Sequence, residues 1–154
     1  LCLTEGLLKK LNPSELDAVL TYQLIHIQNF HSFSFSILNV LSNALIESAQ
    51  FVDQKLKLPK IFESLVSPLS LLLIRIYVSP KMFLKTDENT GGLIANRKDL
   101  ATAFWKLTCL GQTLPLAIPT GTEHLFMIPP DRAPSQVHPS LEERLRKLVG
   151  YYPI

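Results

Sequence analysis

Between Asp17 and Glu47 the chain runs through residues 18–46 without one aspartate, glutamate, lysine or arginine. A helix at a protein surface normally displays charges on its outer face, and a stretch of this length spans most of two helices. Its outward positions would be Gln23, His26, Gln28, Asn29, Ser36, Asn39, Ser42 and Asn43. Such uncharged polar groups tolerate burial when hydrogen-bonded, whereas unpaired charges do not. The run therefore predicts a helical hairpin, Ala18–Ile46, covered on more than one side. Two shorter charge-free gaps follow, 64–74 and 107–122.

Composition narrows the class. With 47% hydrophobic and 18% charged residues, the chain is too apolar to be intrinsically disordered. Six glycines and two cysteines are too few for a collagen-like or disulfide-scaffold protein. At 154 residues, one domain (1–154) is expected, and the start at Leu1 predicts a piece of a longer chain. Cys2 and Cys109 read as buried free thiols, and no secretion signal is apparent, so an intracellular location, cytoplasmic or nuclear, is expected. No window reaches the 18 apolar residues of a membrane span. The most apolar run, Leu69–Val78, contains Arg75 and reads as a core element. The net charge of +2 is not concentrated on a basic face; the densest cluster is Lys55, Lys57 and Lys60.

The expected elements are helices. Leu3, Leu7, Leu8 and Leu11 repeat at helical spacing. Asn12-Pro13-Ser14-Glu15 is a start signal for a helix over about 13–30. His31–Ser36 reads as a turn leading into a helix over about 35–57. Pro59 and Ser67-Pro68 then open two short helices, Lys60–Val66 and Leu69–Val78. The division expected is helical hairpins over 1–78, a loop over 79–96, and a helix over 97–111 closed by Gly111. A proline-rich extended strap over 112–139 and a terminal helix over 140–150 complete it. Ser140 and Glu143 form a capping box for that last helix, and Tyr151-Tyr152 follow it. The fold class is all-α: antiparallel helical hairpins in an irregular bundle or a HEAT-like α-solenoid fragment.

No constellation of chemistry stands out. His26 and His31 are five apart, whereas H-E-x-x-H needs four, and neither His124, His138 nor the cysteines complete a zinc set. No nucleophile elbow or phosphate-cradling glycine loop is present. Asp87, Glu88, Glu142 and Glu143 read as solvated or capping carboxylates. No catalytic residue, metal or cofactor is expected. The sequence alone thus favours a non-enzymatic protein–protein interaction scaffold, binding a homo- or hetero-oligomeric partner through Gln23, His26, Asn39, Asn43, Trp105, Tyr151 and Tyr152. Trp and Tyr enter that set as residues enriched at interface hot spots. Two other readings stay open: a helical domain enclosing an apolar ligand or lipid, and nucleic-acid binding through Lys55, Lys57 and Lys60.

Overall fold

The computed structural model describes residues 3–113, 122–129 and 137–150. Among them every regular element is a helix: α1 (Glu5–Lys10), α2 (Pro13–Gln28), α3 (His31–Leu56), α4 (Ile61–Tyr77), α5 (Pro80–Leu93), α6 (Arg97–Thr113), a short 3-10 turn (Glu123–Leu125) and α7 (Leu141–Val149). The all-α expectation holds. Capping signals in the sequence act as read. Asn12 accepts from the Glu15 N–H while the Glu15 carboxylate accepts from the Asn12 N–H, and Ser140 accepts from the Glu143 N–H. Gly150 closes α7 at φ 80°, the left-handed position that glycine takes without strain.

Two parts differ in how they treat apolar residues. In the body, α2, α5, α6 and α7 pack on one another. Ala18, Tyr22, Leu100, Ala101, Phe104, Leu145 and Leu148 form its centre. The second part is an antiparallel hairpin, α3 against α4. It joins the body through Phe35, Ile74 and Val78, which cluster with Phe83 of α5.

Four boundaries differ from expectation. Helix α3 starts at His31, because Phe30 turns the chain in the left-handed conformation, φ 57°, which a bulky residue seldom adopts. Residues 61–77 are one helix with Pro68 inside it, where two short helices were expected, the second capped by Ser67. Packing of α4 along α3 outweighs the one backbone hydrogen bond that proline removes. The expected loop over 79–96 is mostly helix α5, capped by Ser79 with Pro80 in its first turn. Thr86 and Thr90 of α5 satisfy their hydroxyls on carbonyls four residues back, so its polar sequence is compatible with burial. Gly111 lies within α6 and does not end it. Much of the expected strap, and Tyr151-Tyr152, fall outside the described residues.

Leu69–Val78 is not a core element. Ser70, Ile74 and Val78 are buried, while Leu72 and Ile76 are 50% and 74% exposed. Val40 of α3 is likewise 66% exposed. The expectation of no membrane span is overturned by the same helices. His31–Leu56 and Ile61–Leu93, the latter comprising α4 and α5, are each long and apolar enough to cross a membrane. The sequence reading missed them because it required an unbroken apolar run, whereas Ser, Asn and a single charge are tolerated in a helix of sufficient mean hydropathy. Cys109, expected buried, is exposed.

Candidate functional site

Helix periodicity brings Tyr22 and His26, four residues apart, onto one face of α2, with the Tyr22 hydroxyl 3.0 Å from His26 Nε2. The left-handed turn at Phe30 then folds α3 back, setting the His31 ring 5.0 Å from that of His26. The five-residue spacing that argued against a shared helical face is bridged by this turn. One helical turn on, Phe35 stacks on His31 at 6.2 Å and meets His124 edge to face at 5.6 Å. From α5, Phe83 lies 5.9 Å from His26, 6.0 Å from Phe35 and 4.3 Å from His138. All four histidines of the chain therefore gather around two phenylalanines. A cleft of about 210 Å³ opens beside them, walled by Tyr22, Gln23, His26, Phe35, Phe83 and Met127 among others.

Burial sets the charge states. It lowers His26 to about 4, and nearby His31 and Arg144 push in the same direction, so His26 is neutral at pH 7. Burial also raises the Tyr22 hydroxyl above its ordinary range, which keeps it a neutral phenol.

Behind the cleft sits a buried ion pair. Arg144 Nε and Nη2 donate to the two Asp87 carboxylate oxygens at 2.8 and 2.6 Å, and Nη1 donates to the Met127 carbonyl at 2.8 Å. The guanidinium also lies 3.9 Å from the centre of the Phe104 ring and 5.4 Å from that of Tyr22. Burial works against the Arg144 charge, and Tyr22 and Asp87 beside it outweigh that effect. The pair ties α5 to α7 and holds Met127, a cleft residue, by its backbone. Asp87, read as a solvated loop carboxylate, is completely buried. Glu15 makes a second, outer pair with Lys106 at 2.7 Å. Burial raises Glu15, but Lys106 and the Asn12 N–H more than offset it and hold the carboxyl below its usual value.

Of the partner-binding residues expected from sequence, the cleft takes two. His26 is in it, and Gln23 lines it with its amide 3.6 Å from Met127 Sδ. Asn39 and Asn43 are elsewhere, on α3, where Asn43 Nδ2 donates to Asn39 Oδ1 at 3.3 Å. Trp105 is on α6, beside a shallow groove with Lys10 and Cys109. Lys55, Lys57 and Lys60 surround the far turn of the α3–α4 hairpin. Sequence reasoning missed His31, Phe35, Phe83, Asp87 and Arg144, which come from three helices. The one local signal was the Tyr22–His26 spacing of four, with Gln23 directly after Tyr22.

Tyr22, Gln23 and His26 thus line one cleft from a single helix, beside a hairpin apolar enough to cross a membrane. Residues 1–151 match Peptidase family M48, and the chain belongs to that family. It is 26% identical to a Protease HtpX homolog of Pelotomaculum thermopropionicum, over 94% of this chain and 59% of the relative. Similar proteins of the same description occur in Desulfatibacillum aliphaticivorans (26% identical, 97% of this chain, 55% of the relative) and Pyrococcus furiosus (26%, 94% and 57%). The chain thus spans a little over half the length of these relatives. No solved structure matches.

Family membership corrects the functional expectations drawn from sequence. A non-enzymatic scaffold or complex subunit does not stand, because the family is one of peptidases. The expectation of a cytoplasmic or nuclear protein without a membrane span gives way on the same finding and on the two apolar helices. The error arose from reading missing charges as a covered protein interface, when an apolar solvent imposes the same pattern.

Proposed function

We propose that the protein acts on polypeptides at a membrane, as a member of peptidase family M48 whose α3–α4 hairpin is embedded in the bilayer. The observation that carries this reading is a shared wall. Phe35 and Phe83 line the cleft and also belong to the cluster that seats Ile74 and Val78 of the hairpin. A bilayer around the hairpin therefore lies immediately beside the cleft.

The dimensions agree. At 1.5 Å per residue, the 26 residues of α3 extend about 39 Å and the 17 of α4 about 26 Å, against a hydrocarbon core of about 30 Å. The exposed faces of both helices are then solvated by lipid, which explains why residues 31–46 of α3 carry no charge. Lys55, Lys57 and Lys60 at the far turn would reach the headgroups with their ammonium groups. The chain over 1–154 is read as a single domain, with Leu125 and Phe126 lining the cleft beside Met127.

Two measurements on the full chain test this. Reconstituted with phosphatidylcholine–phosphatidylglycerol vesicles, it should float with lipid and resist alkaline extraction. Recovery in the aqueous fraction overturns the membrane assignment. Fluorescent unfolded casein should be captured by a photo-crosslinker at Leu125; a chain that captures none overturns the polypeptide assignment.

A further inference from the structure

Metal-dependent peptidases of the helix-borne type carry H-E-x-x-H, with both histidines on one face binding zinc and the glutamate activating water. The sequence contains no such motif. What α2 carries in that spacing is Tyr22-Gln23-Leu24-Ile25-His26, and its first, second and fifth residues all line the cleft. The frame is present and its chemistry is changed at each step but one. Tyr22 is a fully buried phenol where a histidine would ligate. Gln23 has an amide where a carboxylate would accept a proton from water. His26 keeps a ligating nitrogen, but Nε2 already has the Tyr22 hydroxyl at 3.0 Å.

A catalytic zinc site uses three protein ligands, so a third donor must come from another element. The side chain facing His26 from α5 is Phe83, a hydrocarbon ring. His31 is near, yet among the described residues no group of three His, Cys, Asp or Glu could hold a metal ion. The donor set does not fit zinc.

We infer that Tyr22, Gln23 and Phe83 close the zinc position of this helical frame, and that these three side chains alone separate it from a metal site. This rests on placing α2 as the peptidase helix of the proposed function. The closed position is a cluster of ring contacts: Tyr22 packs edge-on against Phe104 of α6, and Phe83 bridges His26 and His138. It trades ligand donors for ring packing that adds to the body.

Metal content is the test, measured on the full chain in vesicles. After exposure to zinc and gel filtration, the natural chain should retain far less than one zinc per chain. The variant Tyr22→His/Gln23→Glu/Phe83→Glu should retain one zinc, and with cobalt(II) should develop the visible absorption of a tetrahedral site. Adding His26→Ala to it should abolish both. One zinc bound by the natural chain and lost in His26→Ala overturns the inference. So does a triple variant that melts like the natural chain yet binds no metal. The measurement on the natural chain decides the matter even where the triple variant does not fold. Vesicle flotation is independent of zinc, so failure of the membrane assignment and failure of this inference are read separately.

Discussion

Ile74 and Ile76 are two residues apart in α4, and one is 3% exposed while the other is 74% exposed. In α6, by contrast, Leu100, Ala103 and Phe104 are all completely buried, and the outer positions carry Lys98, Thr102 and Lys106. The body thus follows the rule of a water-soluble helix, apolar stripe inward and polar face outward. The hairpin is apolar on both sides and buries only a narrow seam. The difference is one of exposed surface, polar on the body and apolar on the hairpin, and the cleft sits where the two regions meet.

The comparison is broken most severely inside the body. Arg144→Leu leaves the Asp87 carboxylate buried without its partner, and should cost about 3–5 kcal/mol of stability. Replacing both Asp87 and Arg144 with leucine should cost clearly less, as judged by denaturant titration followed by circular dichroism. A loss no larger in Arg144→Leu than in the double variant would show that the pair does not hold α5 to α7.

Acid should attack the same body next. His26 binds its proton at about 4 in the folded chain and near its ordinary 6.5 when unfolded. The folded state therefore holds fewer protons between these values. The stability due to neutral His26 is intact above pH 6.5, falls as pH drops, and is lost near pH 4. The loss is on the order of 3 kcal/mol. Melting curves across this range should flatten in His26→Gln, and an unchanged pH profile in that variant would locate the sensitivity elsewhere.

A charge placed in the hairpin should sharpen the contrast. Leu41→Arg or Ile76→Arg should weaken bilayer insertion by about 2.5–3.5 kcal/mol when placed near the membrane centre. The same substitutions should leave the body's melting in detergent nearly unchanged; a body that melts early instead would mean these faces pack against protein.

Smaller effects come from single polar contacts. Tyr22→Phe removes the hydroxyl from His26 and should cost about 1 kcal/mol. The exposed pairs Glu5–Lys9 and Glu142–Arg146 should contribute less than about 0.5 kcal/mol each, so alanine at either should be nearly silent in a melting experiment.

Local signals in the sequence were legible where the cause was local. Asn12-Pro13-Ser14-Glu15 marks the start of α2, and Ser140 and Gly150 bound α7, because caps satisfy groups within a few residues. Helix α5 was not legible: Thr86, Asp87 and Thr90 look like loop residues until Arg144, 57 positions away, supplies the partner for Asp87. The cleft was half legible. Gln23 and His26 emerged as exceptional polar positions in a charge-free helix, but Phe35 and Phe83 look like any core phenylalanines. Nothing in their own neighbourhood states that they converge on His26.

The charge-free run over residues 18–46 by itself determined that two successive helices could not both face water, because no charged group was available to solvate them. Which surroundings they meet was decided only by the tertiary structure. It sends α2 into the body, where Tyr22 and Ile25 are buried, and sends α3 outward, where Phe33 and Val40 are bare. The physical reason is that low charge reports the absence of water equally for a protein interior and for a lipid-facing surface. Only the packing separates the two: α3 and α4 meet the body at one end, around His31, Phe35, Ile74 and Val78, and leave most of their apolar faces bare.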